Sequence, residues 1–399
     1  MKTIIKQKID SMAECVFAKL QSMEDESFDY GVYTGKFGIL SFLLYYSRFS
    51  KTKKHLKITE NYAKRIFEQF LLNEKLHTFC SGLSGVLYLF EFLRENDFID
   101  LDVSSAQQIL ENYLVSRMRE NIQQNNYDFM HGALGVGLYF LKKEAYPEYI
   151  QELIDFLYET AEKSADNQIF KWKSIVMDKN EVLRSAYNFA LSHGMSSIII
   201  FLARVVESGI LDEKIKEMLF GAVNYVLSQE KDFSQFGSYF PSYILIDSPD
   251  DISKSRLGWC YGDLGVGLAL WQAGKALEKT EWQGKGLTIL LKSTQRRDMF
   301  DSLVIDAGIC HGSAGIALIY RRMYMETGRD EFREATQYWI DQTLNFSSFK
   351  DGLAGYKTFE KEGWKCDYSL LTGISGIGLV LLSYLENNQQ TWDELFLLS

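Results

Sequence analysis

Cys310 and His311 stand side by side in Cys310-His311-Gly312-Ser313-Ala314-Gly315, and 50 residues earlier Trp259-Cys260-Tyr261-Gly262-Asp263-Leu264-Gly265 repeats the layout. In both copies a cysteine lies two residues before the first glycine. Two thiolates and an imidazole are the nitrogen and sulfur ligands that zinc prefers, and three of them are one short of the four that close a structural tetrahedral site. An open fourth position is the arrangement of catalytic zinc. The expectation is therefore one zinc ion per chain, held by Cys260, Cys310 and His311. The alternative for the two cysteines is that of small buried hydrophobes; their matched positions and the adjacent imidazole favour a metal.

The glycines are what must position these ligands, and they recur along the whole chain. Gly35 and Gly38, Gly82 and Gly85, Gly132 and Gly135, Gly262 and Gly265, Gly312 and Gly315, and Gly373 and Gly376 all have the form Gly-x-x-Gly followed by an apolar run. Ser192-His193-Gly194-Met195-Ser196-Ser197 is a seventh copy in which the small Ser197 replaces the second glycine. The first glycines are 47, 50, 62, 68, 50 and 61 residues apart, and each shorter interval accommodates two helices with their turns. Segments after the glycines, such as Val86-Leu87-Tyr88-Leu89-Phe90, are apolar all round, as suits a helix buried on every side. Charged segments between them carry apolar residues at steps of three and four: Ile5, Ile9, Met12 and Val16; Tyr62, Ile66 and Phe70; Ile109, Tyr113 and Leu114; Ile150, Leu153 and Leu157; Ile215, Leu219, Ala222 and Val226; Phe332, Ala335 and Trp339. Those are amphipathic outer helices. The segment after Trp282 is a weaker outer candidate, since Gly284 and Gly286 interrupt it.

Seven inner and seven outer helices cannot bury their faces pair by pair, so the pattern predicts an all-α, double-layered α/α toroid formed as a single domain over 1–399. An open solenoid satisfies the same local pattern. Inserts are expected near 165–180 and 232–252, where Ile169-Phe170-Lys171-Trp172-Lys173 and Ser238-Tyr239-Phe240-Pro241-Ser242-Tyr243-Ile244-Leu245 are rich in β-formers and suit short strands or loops on the ring.

In equivalent repeats the residue before the first glycine occupies one equivalent place. Those residues are Thr34, Ser81, His131, His193, Tyr261, His311 and Thr372, and every one is polar. Such a set marks a central site. Within it His193 lies outside the ligand trio and is the candidate acid or base; His131 is a weaker one. Asp128, four residues before Gly132, and Arg256, six before Gly262, are near enough to reach the same centre or to pair with structural neighbours. Trp259 and Tyr261 read first as wall.

Composition narrows the function further. The net charge of −10 without basic clusters argues against nucleic acid and favours a neutral or basic ligand such as a peptide. No run reaches the ~20 apolar residues of a membrane span, and lysines break the first segment, which excludes a secretory core. Five irregularly spaced cysteines fit a reducing compartment better than a disulfide framework, so a cytoplasmic location is expected.

With these features the sequence resembles the lanthionine synthetase C family of lanthipeptide cyclases and their LanC-like relatives. The carriers are the seven glycine repeats together with Trp259-Cys260-Tyr261-Gly262 and Cys310-His311-Gly312. The resemblance implies an α/α toroid with a single zinc on Cys260, Cys310 and His311. It further implies active-site roles for Asp128, His193, Arg256, Trp259 and Tyr261. Two features depart from the family pattern, Ser197 in place of a glycine and the histidine at 131. The implied reaction joins a cysteine thiol of a dehydrated precursor peptide to a dehydroalanine or dehydrobutyrine, giving a lanthionine or methyllanthionine thioether. A dehydratase and an export transporter are the implied partners, with peripheral membrane association through such a complex. LanC-like relatives that act on glutathione or another thiol, or bind peptide without catalysis, share the zinc. A glycosidase on an α/α barrel requires paired carboxylates, whereas this ring offers histidines and hydroxyls; zinc-dependent prenyltransferases are a second rival on such barrels.

Overall fold

The computed structural model describes residues 2–20, 29–72, 76–98, 104–386 and 391–399. They form two compact units, one of 1–110 with 304–399 and the other of 111–303.

In the first unit, α1 (Lys2–Lys19) and α3 (Lys53–Leu72) are outer helices, with α2 (Lys36–Ser50) and α4 (Leu83–Glu95) as their inner neighbours. Helix α1 buries one stripe, Ile5, Ile9, Met12, Ala13 and Val16, whereas α4 buries every residue from Leu83 to Leu93. The difference follows from composition: a charged helix can bury only the stripe that carries its apolar residues, at about 1.5–3 kcal/mol for each large side chain. Further along the chain come α5 (Ser104–Gln123), α6 (Ala133–Lys142), α7 (Pro147–Thr160), α8 (Met195–Glu207), α9 (Glu213–Ser228), the single turn α10 (Phe233–Phe236), α11 (Asp263–Ala276), α12 (Thr280–Ser293) and the single turn α13 (Met299–Ser302). Helices α14 (Ser313–Thr327), α15 (Asp330–Asn345) and α16 (Ile374–Glu386) return to the first unit. There α16 packs against α1, α2 and α14, so the beginning and end of the chain share one core. A C-terminal 3-10 helix, Trp392–Phe396, adds buried Trp392, Leu395 and Phe396, and Arg322 of α14 donates from Nε to Asp393 Oδ2 at 2.8 Å.

In the second unit α8 packs against α6, α9 and α11, and α11 against α12. The glycines that weakened the sequence reading of α12 explain this last contact. A Cβ on Gly286 would stand 2.6 Å from the carbonyl oxygen of Gly267 on α11, so the two backbones approach directly. In α5 the expected face holds in part: Leu114 is buried, but Ile109 is 72% exposed, and Leu110, Val115 and Met118 complete the buried stripe.

Both expected inserts contain strands. β1 (Glu162–Lys163) pairs with β2 (Phe170–Lys171), and β3 (Lys173–Met177), β4 (Leu183–Asn188) and β5 (Tyr243–Leu245) form an antiparallel sheet in that order over Val176, Ala186 and Leu245. A hairpin of β6 (Thr358–Glu360) and β7 (Gly363–Lys365) occupies the third long interval, for which no insert was expected.

Candidate metal centre and acid–base pair

Five of the inner helices, α2, α4, α6, α14 and α16, are entered through the same turn. The carbonyl oxygen six residues before the first glycine accepts from the amide just after that glycine: Lys36 N to Asp29 O at 3.0 Å, Ala133 N to Asn126 O at 3.0 Å, Ser313 N to Asp306 O at 3.1 Å and Ile374 N to Asp367 O at 3.0 Å. One of the amides left without a helical partner at a helix N-terminus is thereby satisfied by the turn. The second glycine lies against the turn's own backbone, where a Cβ on Gly315 would stand 1.9 Å from Ile309 O. In the fourth repeat Ser197 is buried, with its hydroxyl donating to Gly194 O at 2.7 Å. Gly262 caps α11 with φ +90, a conformation that L side chains rarely adopt.

The turns are tied to one another through main-chain atoms. In the first unit Cys310 N donates to Leu371 O at 3.0 Å, Leu371 N to Tyr33 O at 2.9 Å, and Tyr33 N to Cys80 O at 2.9 Å. In the second unit Leu191 N donates to Cys260 O at 3.0 Å, which joins the turn of His193 to that of Cys260. None of the seven pre-glycine residues Thr34, Ser81, His131, His193, Tyr261, His311 and Thr372 is buried, although the glycine after each of them is. The turn thus holds its backbone inside and leaves one side chain open, as the polar set requires.

Asp128 and His193 are brought together. His193 Nδ1 lies 2.7 Å from Asp128 Oδ2, and Asp128 Oδ1 accepts the backbone N–H of His131 at 2.8 Å. Burial disfavours a charged His193, but the hydrogen bond and charge of Asp128 outweigh it and hold the imidazole above its ordinary pKa. The ring of His131 lies nearly parallel to that of His193 with centroids 5.7 Å apart. Desolvation, with a smaller contribution from His193, holds His131 below the usual histidine range despite Asp128. The two imidazoles thus differ in their readiness to carry a proton.

Cys260 is buried, and Cys310 and His311 are half-buried. Cys310 and His311 stand on the turn before α14 in the first unit, and Cys260 on the turn before α11 in the second, each offering one atom able to ligate a metal ion. The donor chemistry fits zinc, since two sulfurs and one imidazole nitrogen suit a borderline-soft cation and not magnesium or calcium. Arg256 and Tyr261 are half-buried beside Cys260 in sequence, and Trp259 is fully buried, as a wall residue should be.

A buried ion pair supports the same segment and was not foreseen. Asp263, the first residue of α11, accepts from Tyr239 N and Phe240 N at 3.0 Å each and lies 3.6 Å from Arg296 Nη1. Arg296 also donates to the carbonyl oxygen of Ser255. Asp263 and Arg296 therefore join the insert, the residue before Arg256 and the start of α11. An Asp just after the Gly262 turn was the visible signal; its distant partner had none.

The protein is an α-helical repeat protein: among the described residues seven inner helices alternate in sequence with seven outer ones, with two further single turns. The family model of the lanthionine synthetase C-like protein matches residues 26–397, and the chain belongs to that family. It is 25% identical over 386 residues to the nisin biosynthesis protein NisC of Lactococcus lactis subsp. lactis, covering 90% of this chain and 87% of that protein. Among solved structures it is similar to nisin cyclase, with a TM-score of 0.77, 21% identity and coverage of 97% of this chain and 96% of the other. The fold is accordingly the double-layered α/α toroid expected from the repeats, not an open solenoid. No helix among the described residues is long and apolar enough to cross a membrane.

Proposed function

We propose that the chain is a zinc-dependent lanthionine synthetase, closing thioether rings in a dehydrated precursor peptide. The observation that carries the reading is the donor set itself: Cys260 and Cys310 stand at the same place in the turns before α11 and α14, with His311 beside the second, two thiols and one imidazole as in a three-ligand catalytic zinc site. The names of the similar proteins, nisin biosynthesis protein and nisin cyclase, support the same reaction class.

Zinc held there supplies Lewis acidity that lowers the pKa of a substrate thiol toward neutrality. Addition forms one S–C bond to the β-carbon of the dehydro residue, and the proton lost by sulfur is balanced by one gained at the α-carbon. His193 delivers that proton. Asp128 on Nδ1 leaves Nε2 to face the substrate and raises the pKa of the imidazole above its ordinary value, which favours its role as the acid. Arg256 stabilises the enolate oxygen that develops during attack or holds Asp128 in place. Tyr261, in the pre-glycine position of the fifth repeat, is a further proton donor. A dehydratase that makes the dehydro residues and a transporter that exports the product are the partners of such an enzyme, in the cytoplasm or at the inner face of its membrane.

Incubation of the purified protein with a dehydrated Ser/Thr/Cys-containing peptide tests this, with thiol alkylation and mass spectrometry to count rings and elemental analysis to count zinc. One zinc per chain and ring closure, both lost in Cys310→Ala, are the expected results. Zinc without ring closure, accompanied by addition of free glutathione to an electrophile, would assign the site to a different thiol. Absence of zinc would overturn the reading.

A further inference from the structure

Five of the seven repeats carry an Asp or Asn six residues before the first glycine: Asp29, Asn126, Asn188, Asp306 and Asp367. In all five the side-chain Oδ1 accepts the amide two residues on, at Gly31, Asp128, Ala190, Gly308 and Ser369. That is an Asx turn, and Asp and Asn serve it equally well. They differ in the second atom. Asn126 and Asn188 have an NH2 there and donate it to the backbone carbonyl oxygen of the pre-glycine residue, His131 at 3.5 Å and His193 at 3.4 Å. Asp29 and Asp367 have an oxygen there and accept from the pre-glycine side chain, the hydroxyls of Thr34 and Thr372. Asp thus orients the pre-glycine side chain, and Asn holds only its backbone.

Asp306 follows the Asp rule with a histidine. Its Oδ2 lies 3.5 Å from His311 Nε2 and accepts Phe359 N of the β6–β7 hairpin at 3.2 Å. The carboxylate is 1% exposed. A ligating histidine characteristically donates its second ring N–H to a carboxylate or carbonyl, which fixes the tautomer and strengthens the ligand. We infer that Asp306 is a positioning residue for the metal ligand His311, keeping the proton on Nε2 and presenting Nδ1 to the ion, with the β6–β7 hairpin holding Asp306 in turn. The inference rests on the zinc reading above and goes beyond it, since it names the nitrogen and the residue that selects it.

The test is Asp306→Asn in the full chain. By the rule of Asn126 and Asn188, the amide retains the Gly308 contact and swings its NH2 to the carbonyl oxygen of residue 311, leaving the ring without an acceptor. Zinc affinity, measured by chelator competition, is expected to fall about 10- to 100-fold. The cobalt-substituted spectrum and the 15N shifts of the His311 ring, assigned with His311→Asn, should change as well. Asp367→Asn is the control: it disturbs the equivalent turn around Thr372 and should leave zinc affinity within twofold. Equal affinity in Asp306→Asn and wild type, or an equal loss in Asp367→Asn, would reduce Asp306 to a turn residue. Should Asp306→Asn fail to fold, the wild-type 15N shifts decide, and a proton on Nδ1 overturns the inference. A wild-type chain that binds no zinc defeats the metal reading itself and this inference with it.

Discussion

His193 Nδ1 and Asp128 Oδ2 lie 2.7 Å apart although 65 residues separate them in sequence, one from the third repeat and one from the fourth. The pairing engages Nδ1 and, against the desolvation of the ring, raises the pKa of the imidazole above its ordinary value.

His193→Asn is expected to keep its zinc and slow ring closure by about 10²- to 10⁴-fold, the range of a lost general acid. Asp128→Asn should retain the ring but lower its pKa. Because the acid form of His193 is populated below its raised pKa, the alkaline limb of the rate profile should move to lower pH in Asp128→Asn. Thioether formation followed across pH 5–9 measures it, and an unshifted limb would assign the proton to another group.

Helix α12 holds a paired test of packing. A Cβ on Gly284 meets nothing within 4 Å, whereas one on Gly286 meets Gly267 O at 2.6 Å and Trp271 N at 2.9 Å. Gly284→Ala should stabilise the protein by about 0.5–1 kcal/mol through helix propensity. Gly286→Ala should destabilise it by more than that gain, because α11 and α12 must separate. Urea denaturation of the two variants should therefore move the midpoint in opposite directions.

Asp263 gives a pH dependence with a defined sign. Burial first, against Arg296 and two amides, pushes its pKa up to about 6. Between about pH 4 and 6 the folded state binds a proton that the unfolded chain has released, so this residue's contribution to stability falls as pH rises through that window. Asp263→Asn removes that dependence. Its stability relative to wild type should improve by about 2–3 kcal/mol on going from pH 4 to pH 6, a shift of roughly two pKa units. Thermal unfolding at both pH values measures it, and a constant difference would place the titration elsewhere.

Arg322 and Asp393 are both buried, at 6% and 3% exposure. Asp393→Ala leaves a buried guanidinium without its carboxylate and should destabilise the chain by about 3–5 kcal/mol. Replacing both partners, Arg322→Met with Asp393→Leu, should recover most of that loss, because an apolar pair of similar volume carries no desolvation penalty. Denaturant unfolding of the single and double variants checks the pair.

Glycine spacing made the fold legible. A buried helix entered by a tight turn needs small residues where backbones touch, and Gly315 against Ile309 O is such a place. Amphipathic steps located the outer helices, except that Ile109 seemed part of a stripe that in fact begins one residue later at Leu110. The chemical residues were legible because they repeat: Cys260 and Cys310 share one offset, and His193 and His311 another. Asp306 and its counterparts carried an equally regular signal, an Asx six residues before glycine, which is visible only after the turns are known to be alike. Arg296 was invisible in sequence, since nothing near it marks a partner 33 residues away.

The main-chain bonds from Cys310 through Leu371 and Tyr33 to Cys80 bear on how such a protein diverges. Every atom in that series belongs to the backbone, so no substitution other than proline removes a donor from it. Side chains on these turns can drift through many generations while the strut that places the thiol of Cys310 stays the same length. In this fold geometry is inherited through amides, and chemistry through the few side chains left open.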